Sequence, residues 1–140
     1  MFETTRKVMF KDCDPAGIVF YPRYFEMVND CVETFFADAL RWPFETIHGS
    51  GGGVPTAALD ADFDAPSRHG DLLTFELRVV RLGRTSLGYR LLARDGDERR
   101  FHLEATLVNV DATGRPAPWP DAVRATLHTL REDPPMSPER

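Results

Sequence analysis

The sequence predicts an α+β fold, one antiparallel sheet packed on a single dominant helix, and three observations predict it. Residues 22–40 repeat their apolar side chains at three-and-four spacing, the pattern of one helix face. From about residue 56 the period changes to two, the alternation of half-buried strands. Between two of those alternating runs lies "RDGDE", a glycine-containing hairpin turn, which requires antiparallel pairing.

The elements follow in order. "TTRKVMFK" is a short first strand. The helix places Tyr24, Phe25, Val28, Cys31, Val32, Phe35, Phe36 and Ala39 on one side, and Pro22 suits its first position, where a missing N–H costs nothing. At 1.5 Å per residue it is roughly 28 Å long and crosses the whole domain. "RWPF" and "HGSGGG" read as a flexible loop. "PTAALDADFDAP" is a polar strand near a sheet edge, and "LTFELRVVRL" sets Leu73, Phe75, Leu77 and Val79 on one face. "RTSLGYRLLAR" and "RFHLEATLVNV" continue the alternation, and "PDAVRATLHTL" is a brief terminal helix. Residues 1–130 form one domain, since 140 residues suit a single core; the charged, Pro-rich 131–140 are expected to be a flexible tail. One helix covers only part of a sheet face, so apolar surface is left for another subunit.

Composition narrows the function. With 42% hydrophobic and 28% charged residues the chain can bury a core, and a net charge of -5 argues against a phosphate-backbone partner such as nucleic acid. No segment approaches the ~20 apolar residues of a membrane span, and "MFETTRKVMF" lacks a signal-peptide core, so a cytoplasmic location without membrane contact is expected. Cys13 and Cys31 are too few for a disulfide framework and read as reduced thiols. His48, His69, His102 and His128 form no ligand spacing, so no metal is expected.

One stretch carries chemistry: "DCDPAGIVFYPRYF", residues 12–25. Asp14 lies eight positions before Pro22, too far to cap the helix. Asp-Pro with Gly17 nearby also reads as a plain strand-to-helix turn. Tyr21, at the N-cap position, lacks the short side-chain oxygen that usually takes up first-turn donors, so those amides are expected to be open toward an anion. A carboxylate beside an oxyanion-binding helix end suggests acyl transfer or hydrolysis.

These fourteen residues resemble the signature of hotdog-fold acyl-CoA thioesterases of the 4-hydroxybenzoyl-CoA thioesterase type, and the element order over about residues 3–112 is similar to that fold. The resemblance implies homodimers with joined sheets, often paired into homotetramers, active sites at subunit interfaces, and an acyl-CoA substrate with no separate cofactor. It implies Asp14 as the catalytic carboxylate, the Tyr21 backbone N–H as the donor polarising the thioester carbonyl, and Gly17 as the turn glycine. Asp14, ionised at neutral pH, then either attacks the thioester carbon or activates water. Asn29 stands where the hydroxybenzoyl-specific type is expected to carry a carboxylate, and Val54 where a small hydroxyl residue is expected, which turns the expectation toward an aryl or a short-to-medium acyl group. Phe20, Tyr24 and Val54 are candidate pocket walls, with an ordinary core role as the alternative. Arg81, Arg84 and Ser86 resemble the family's CoA contacts; Arg68 and His69 are weaker candidates.

Other signals are set aside. "GSGGG" lacks the Lys-Ser/Thr ending of a phosphate loop, and no G-x-S-x-G is present. Asp12 is weighed as a second acid beside Asp14 and is expected instead to be solvated, and Cys13 should be inert. Val19 replaces the His that a dehydratase on this fold would need. Acyl carrier protein thioesters, or non-catalytic acyl-CoA binding, remain as alternatives.

Overall fold

In the computed structural model, which describes residues 1–132, the elements run β1 (Phe2–Lys7), a 3-10 turn (Phe10–Asp12), α1 (Pro22–Asp38), α2 (Phe44–Gly49), β2 (Thr56–Phe63), β3 (Leu72–Leu82), β4 (Ser86–Asp95), β5 (Glu98–Val108) and α3 (Asp121–Leu130). The five strands form one antiparallel sheet in the order β1-β3-β4-β5-β2. The hairpin read from "RDGDE" is present: Asp95 pairs with Glu98, and Gly96 at φ 56 supplies the left-handed turn position.

The inner face of the sheet is apolar on alternate residues, as a strand's two-residue period demands. Leu73, Phe75, Leu77 and Val79 of β3, Leu87, Leu91 and Ala93 of β4, and Phe101, Leu103 and Leu107 of β5 are all buried. Against them α1 lays Tyr24, Met27, Val28, Cys31, Val32, Phe35 and Phe36. Burying each large side chain contributes roughly 1.5–3 kcal/mol. The helix starts at Pro22 as the sequence predicts, and stops two residues earlier than expected because Arg41 adopts φ 55 and turns the chain. Trp119 then closes the far end against Phe36 and Trp42.

Three expectations change. The first strand begins and ends earlier than residues 4–11, because residues 10–12 tighten into the 3-10 turn. The "RWPF" to "HGSGGG" stretch is not simply a loop: residues 44–49 form α2, and Gly53 pairs with Val110 through N–H···O bonds of 3.2 and 2.9 Å. Gly52 is needed there, since a Cβ would sit 2.8 Å from the Val110 carbonyl oxygen. Of the expected tail, Glu132 is held, its N–H on the Val79 carbonyl (2.8 Å) and its carboxylate on Arg78 (3.5 Å); residues 133–140 lie outside the described residues.

β2 is at the sheet edge, as its polar sequence indicates, and is exposed along most of its length. The β5–β2 half of the inner face is therefore the half that α1 leaves least covered.

Candidate active site

The loop from residue 12 to 20 folds back on itself as a short ladder. Asp14 N–H donates to the Ile18 carbonyl (2.9 Å) and Phe20 N–H to the Asp12 carbonyl (2.9 Å), with Gly17 at φ 81 forming the tip. Gly17 is required there because a side chain is strained at that φ. Asp14 is half-buried; its Oδ1 accepts the Ala16 N–H (2.9 Å), an Asx turn, while Oδ2 has no partner among the described residues.

The helix start is more economical than expected. Pro22 has no N–H, and the Arg23 and Tyr24 N–H groups turn back onto the Phe20 and Tyr21 carbonyls (2.8 and 3.1 Å), so these first-turn amides are not open. Tyr21 N–H alone has no acceptor among the described residues. The positive end of the helix is thus presented through one donor.

Behind the loop lies a polar framework that the sequence did not reveal. Val19 N–H donates to the Ser67 carbonyl (2.8 Å), and Ile18 bridges to Arg68. Tyr24 hydroxyl donates to Ser67 Oγ (2.9 Å); Arg100 Nη1 donates to the same oxygen (3.3 Å) and to Asp71 Oδ2 (2.7 Å). Arg100 reaches inward because β5 carries one extra residue there, with Phe101 opposite Ala93 and Arg99 opposite Arg94. Hydrogen bonds from Arg100 and from the Arg68 N–H hold the Asp71 carboxyl below its ordinary value. Burial, only partly offset by the Ser67 hydrogen bond, pushes the Tyr24 hydroxyl up.

Asp12 is a correction: it is 1% exposed, not solvated. Its side chain is held at the junction of β1 and α1. There it accepts the Met9 N–H (2.8 Å) and meets Arg6 Nη2 (3.2 Å), while Arg6 Nη1 reaches Asp30 (3.0 Å). Arg6 thereby ties β1, the loop and the helix. Cys13 stays a poor nucleophile, because burial and then Asp12 and Asp14 push its thiol up.

The remaining candidates separate into three groups. Asn29 and Val54 line a cavity of about 510 Å³ between α1, α2 and the β5–β2 side of the sheet. Tyr24 is withdrawn from it, stacked on Phe101 at 4.8 Å, and Phe20 lies outside it, exposed beside Tyr21. Arg81, Arg84 and Ser86 sit at the β3–β4 turn. β3 leaves the Asp71 end of the loop framework and runs eleven residues before that turn, about 35 Å at 3.3 Å per residue. One copy of the chain does not bring these residues to Asp14. Arg81 also lies flat over Gly88, where a Cβ would be 2.6 Å from its guanidinium, and donates to Thr106 Oγ1 (2.7 Å). The described residues contain no cluster of three or more His, Cys, Asp or Glu able to hold a metal.

A five-stranded sheet of this order wrapped on one long helix, with a carboxylate loop at the helix N-terminus, is a hotdog fold of the thioesterase kind. The chain belongs to the Thioesterase-like superfamily, whose family model matches residues 8–127. It is 29% identical over 87 residues to the 4-hydroxybenzoyl-CoA thioesterase of Pseudomonas sp. (strain CBS-3); that match spans 61% of this chain and 62% of the relative, a little under two thirds of its length. A 1,4-dihydroxy-2-naphthoyl-CoA thioesterase from Synechocystis shares the fold with TM-score 0.84 at 20% identity, over 92% of this chain and 96% of that one. A Staphylococcus aureus protein solved in complex with CoA shares it with TM-score 0.88 at 15% identity, over 99% and 89% of the two chains.

Proposed function

We propose that the protein is a thioester hydrolase that cleaves an acyl-CoA, aryl or short-to-medium in its acyl group, to the free acid and CoA. The observation that carries this reading is the pairing of one acceptor-free amide, Tyr21 N–H, with a loop that fixes one oxygen of Asp14 and leaves the other free. A thioester carbonyl oxygen on Tyr21 N–H is polarised, and Asp14 Oδ2 supplies the electron pair. As nucleophile, it adds to the carbonyl carbon, the oxyanion forms on Tyr21 N–H, the C–S bond breaks to release CoA thiolate, and water cleaves the resulting anhydride. As base, it takes a proton from water as that water attacks, and Asp14 returns the proton to the leaving thiolate. In either route a single oxyanion donor is worth ~3 kcal/mol of barrier.

Asn29 and Val54 are then part of the acyl wall. Phe20 borders the mouth, and Tyr24 supports the site from behind. The CoA phosphates need cations and hydrogen-bond donors: Arg81 and Arg84 provide the charge and Ser86 a hydroxyl from another copy of the chain, because within one copy they lie at the far end of the sheet. A homodimer joined along the exposed β2 edge, or a homotetramer of such pairs, fits that requirement and covers Leu59 and Phe63.

The test is thiol release from a panel of acyl-CoA esters by the wild-type protein and by Asp14→Asn. The variant is expected to lose at least 100-fold in kcat, with oligomer size and melting temperature unchanged. A wild-type protein that releases no thiol from any CoA ester, or an Asn variant that turns over normally, refutes the proposal.

A further inference from the structure

The cavity holds a polar group that the proposed mechanism does not use. Its floor is Val28, Val32, Leu103, Leu107 and Tyr89, all buried. Its rim is more open, with Asn29, His48, Thr56 and Leu59 exposed. Among the floor residues only Tyr89 carries a polar atom. The residue is 4% exposed, and its hydroxyl has no hydrogen-bond partner among the described residues. The hydroxyl oxygen is open to the cavity rather than enclosed, and an apolar floor offers a water there too few additional partners to hold it well. Burial, with the Cys31 thiol nearby, keeps this hydroxyl protonated, so it remains a neutral donor.

Two rulers place Tyr89 far from the reacting carbonyl. Along α1, Cys31 is ten residues past Tyr21, about 15 Å at 1.5 Å per residue. Along the sheet, Tyr24 stacks on Phe101, and Tyr89 pairs with Ala105, four residues further along β5 and about 13 Å at 3.3 Å per residue. Phe25 and Asn29 continue the helix face that begins at Tyr21, so the cavity, whose lining starts at Phe25, lies one helical turn along that stripe from the carbonyl site. A single aromatic ring attached to the carbonyl ends short of Tyr89. The volume, about 510 Å³, is that of sites for ligands larger than one ring.

We infer that Tyr89 is a specificity-determining residue on the floor of the acyl cavity, and that the site takes an acyl group longer than one ring with an oxygen that reaches this hydroxyl. Selectivity rests on an otherwise unpaired donor: a hydrocarbon end leaves the hydroxyl unsatisfied, and an oxygen there satisfies it. Asn29, at the rim, does not read that end. The inference rests on the thioesterase reading for its substrate, and its test separates the two.

The measurement is kcat/KM for octanoyl-CoA and its terminally hydroxylated counterpart, with benzoyl-CoA and 4-hydroxybenzoyl-CoA as a shorter pair, for wild type, Tyr89→Phe and Asn29→Ala. The wild type should favour the hydroxylated octanoyl ester by about tenfold, Tyr89→Phe should bring that ratio close to one, and Asn29→Ala should keep it. The benzoyl pair should not respond to Tyr89→Phe. Calorimetric binding of free octanoic and hydroxyoctanoic acids reads the same contrast without catalysis. If no ester is cleaved yet the acids still discriminate through Tyr89, the hydrolase proposal fails and this inference stands. An unchanged ratio in Tyr89→Phe, no wild-type preference, loss of preference in Asn29→Ala, or no binding of either acid overturns it.

Discussion

The two ends of α1 are built from different materials. At the C-terminal end Phe36 is fully buried and meets the rings of Phe44, Trp42 and Trp119 at 5.4, 6.3 and 6.5 Å. At the N-terminal end the Tyr24 ring is stacked, but its hydroxyl enters the chain of Ser67, Arg100 and Asp71, and the outermost amide has no acceptor. The C-terminal end is closed by dispersion and area alone; the N-terminal end has its own ring cluster, with Tyr24, Phe25 and Phe63 against Phe101, and adds directed polar contacts that leave one amide open. Directed polar geometry is therefore confined to the N-terminal end, and substitutions at the two ends should separate stability from turnover.

The largest separation is expected from Phe36→Ala, which empties a ring-sized volume at the closed end. It should cost about 3–5 kcal/mol of unfolding free energy, read from denaturant midpoints, while leaving turnover per folded molecule close to wild type. A large kcat loss in the folded fraction would show that the two ends are not independent. Arg100→Met should cost less, about 1–3 kcal/mol, by leaving Asp71 and Ser67 short of a donor. Its mark should be at the other end: a kcat decrease of around tenfold with KM for the acyl-CoA little changed, because the Ser67 segment that pairs with Val19 loosens. Equal kcat in the variant would remove Arg100 from the loop's support.

The smallest effect is a pH dependence, and its sign is fixed. Asp71 has a folded-state pKa below the ordinary 3.8, so its contribution is complete above that value and is lost as pH falls through the folded-state value. Melting temperature should hold from neutral pH to about pH 4 on this account and decline below it. In Arg100→Met the decline attributable to Asp71 should shrink, since the guanidinium hydrogen bond is the main cause of the depression. An identical acid profile in both proteins would assign the acid response to other carboxylates.

How much of this was legible depended on whether local sequence determined it. Pro22 marks the helix start because its constraint is its own, and the inner faces of β3, β4 and β5 follow from a strict two-residue period. α2 was missed because a six-residue helix shows too little periodicity to read. Asp12 was read as solvated, because the local sequence cannot say that its side chain meets Arg6 and α1 rather than water. Arg100 was invisible because a bulge shifts the register by one residue, and the pattern of a strand assumes no such insertion. Tyr89 could be placed on the inner face from "SLGYRLLA", yet only the assembled cavity shows that its hydroxyl has no partner.

The β2 edge adds a different consequence. Leu59, Ala61 and Phe63 share its inner side, and Asp60, Asp62 and Asp64 alternate with them on the other. A free strand of uninterrupted apolar character would be an open invitation to any passing chain. The aspartates act as gatekeepers: they set carboxylates, two of them already paired with His102 at 3.3 and 2.7 Å, beside any strand that pairs with this edge. The guard against unwanted strand pairing thus sits on the face of the sheet turned away from α1.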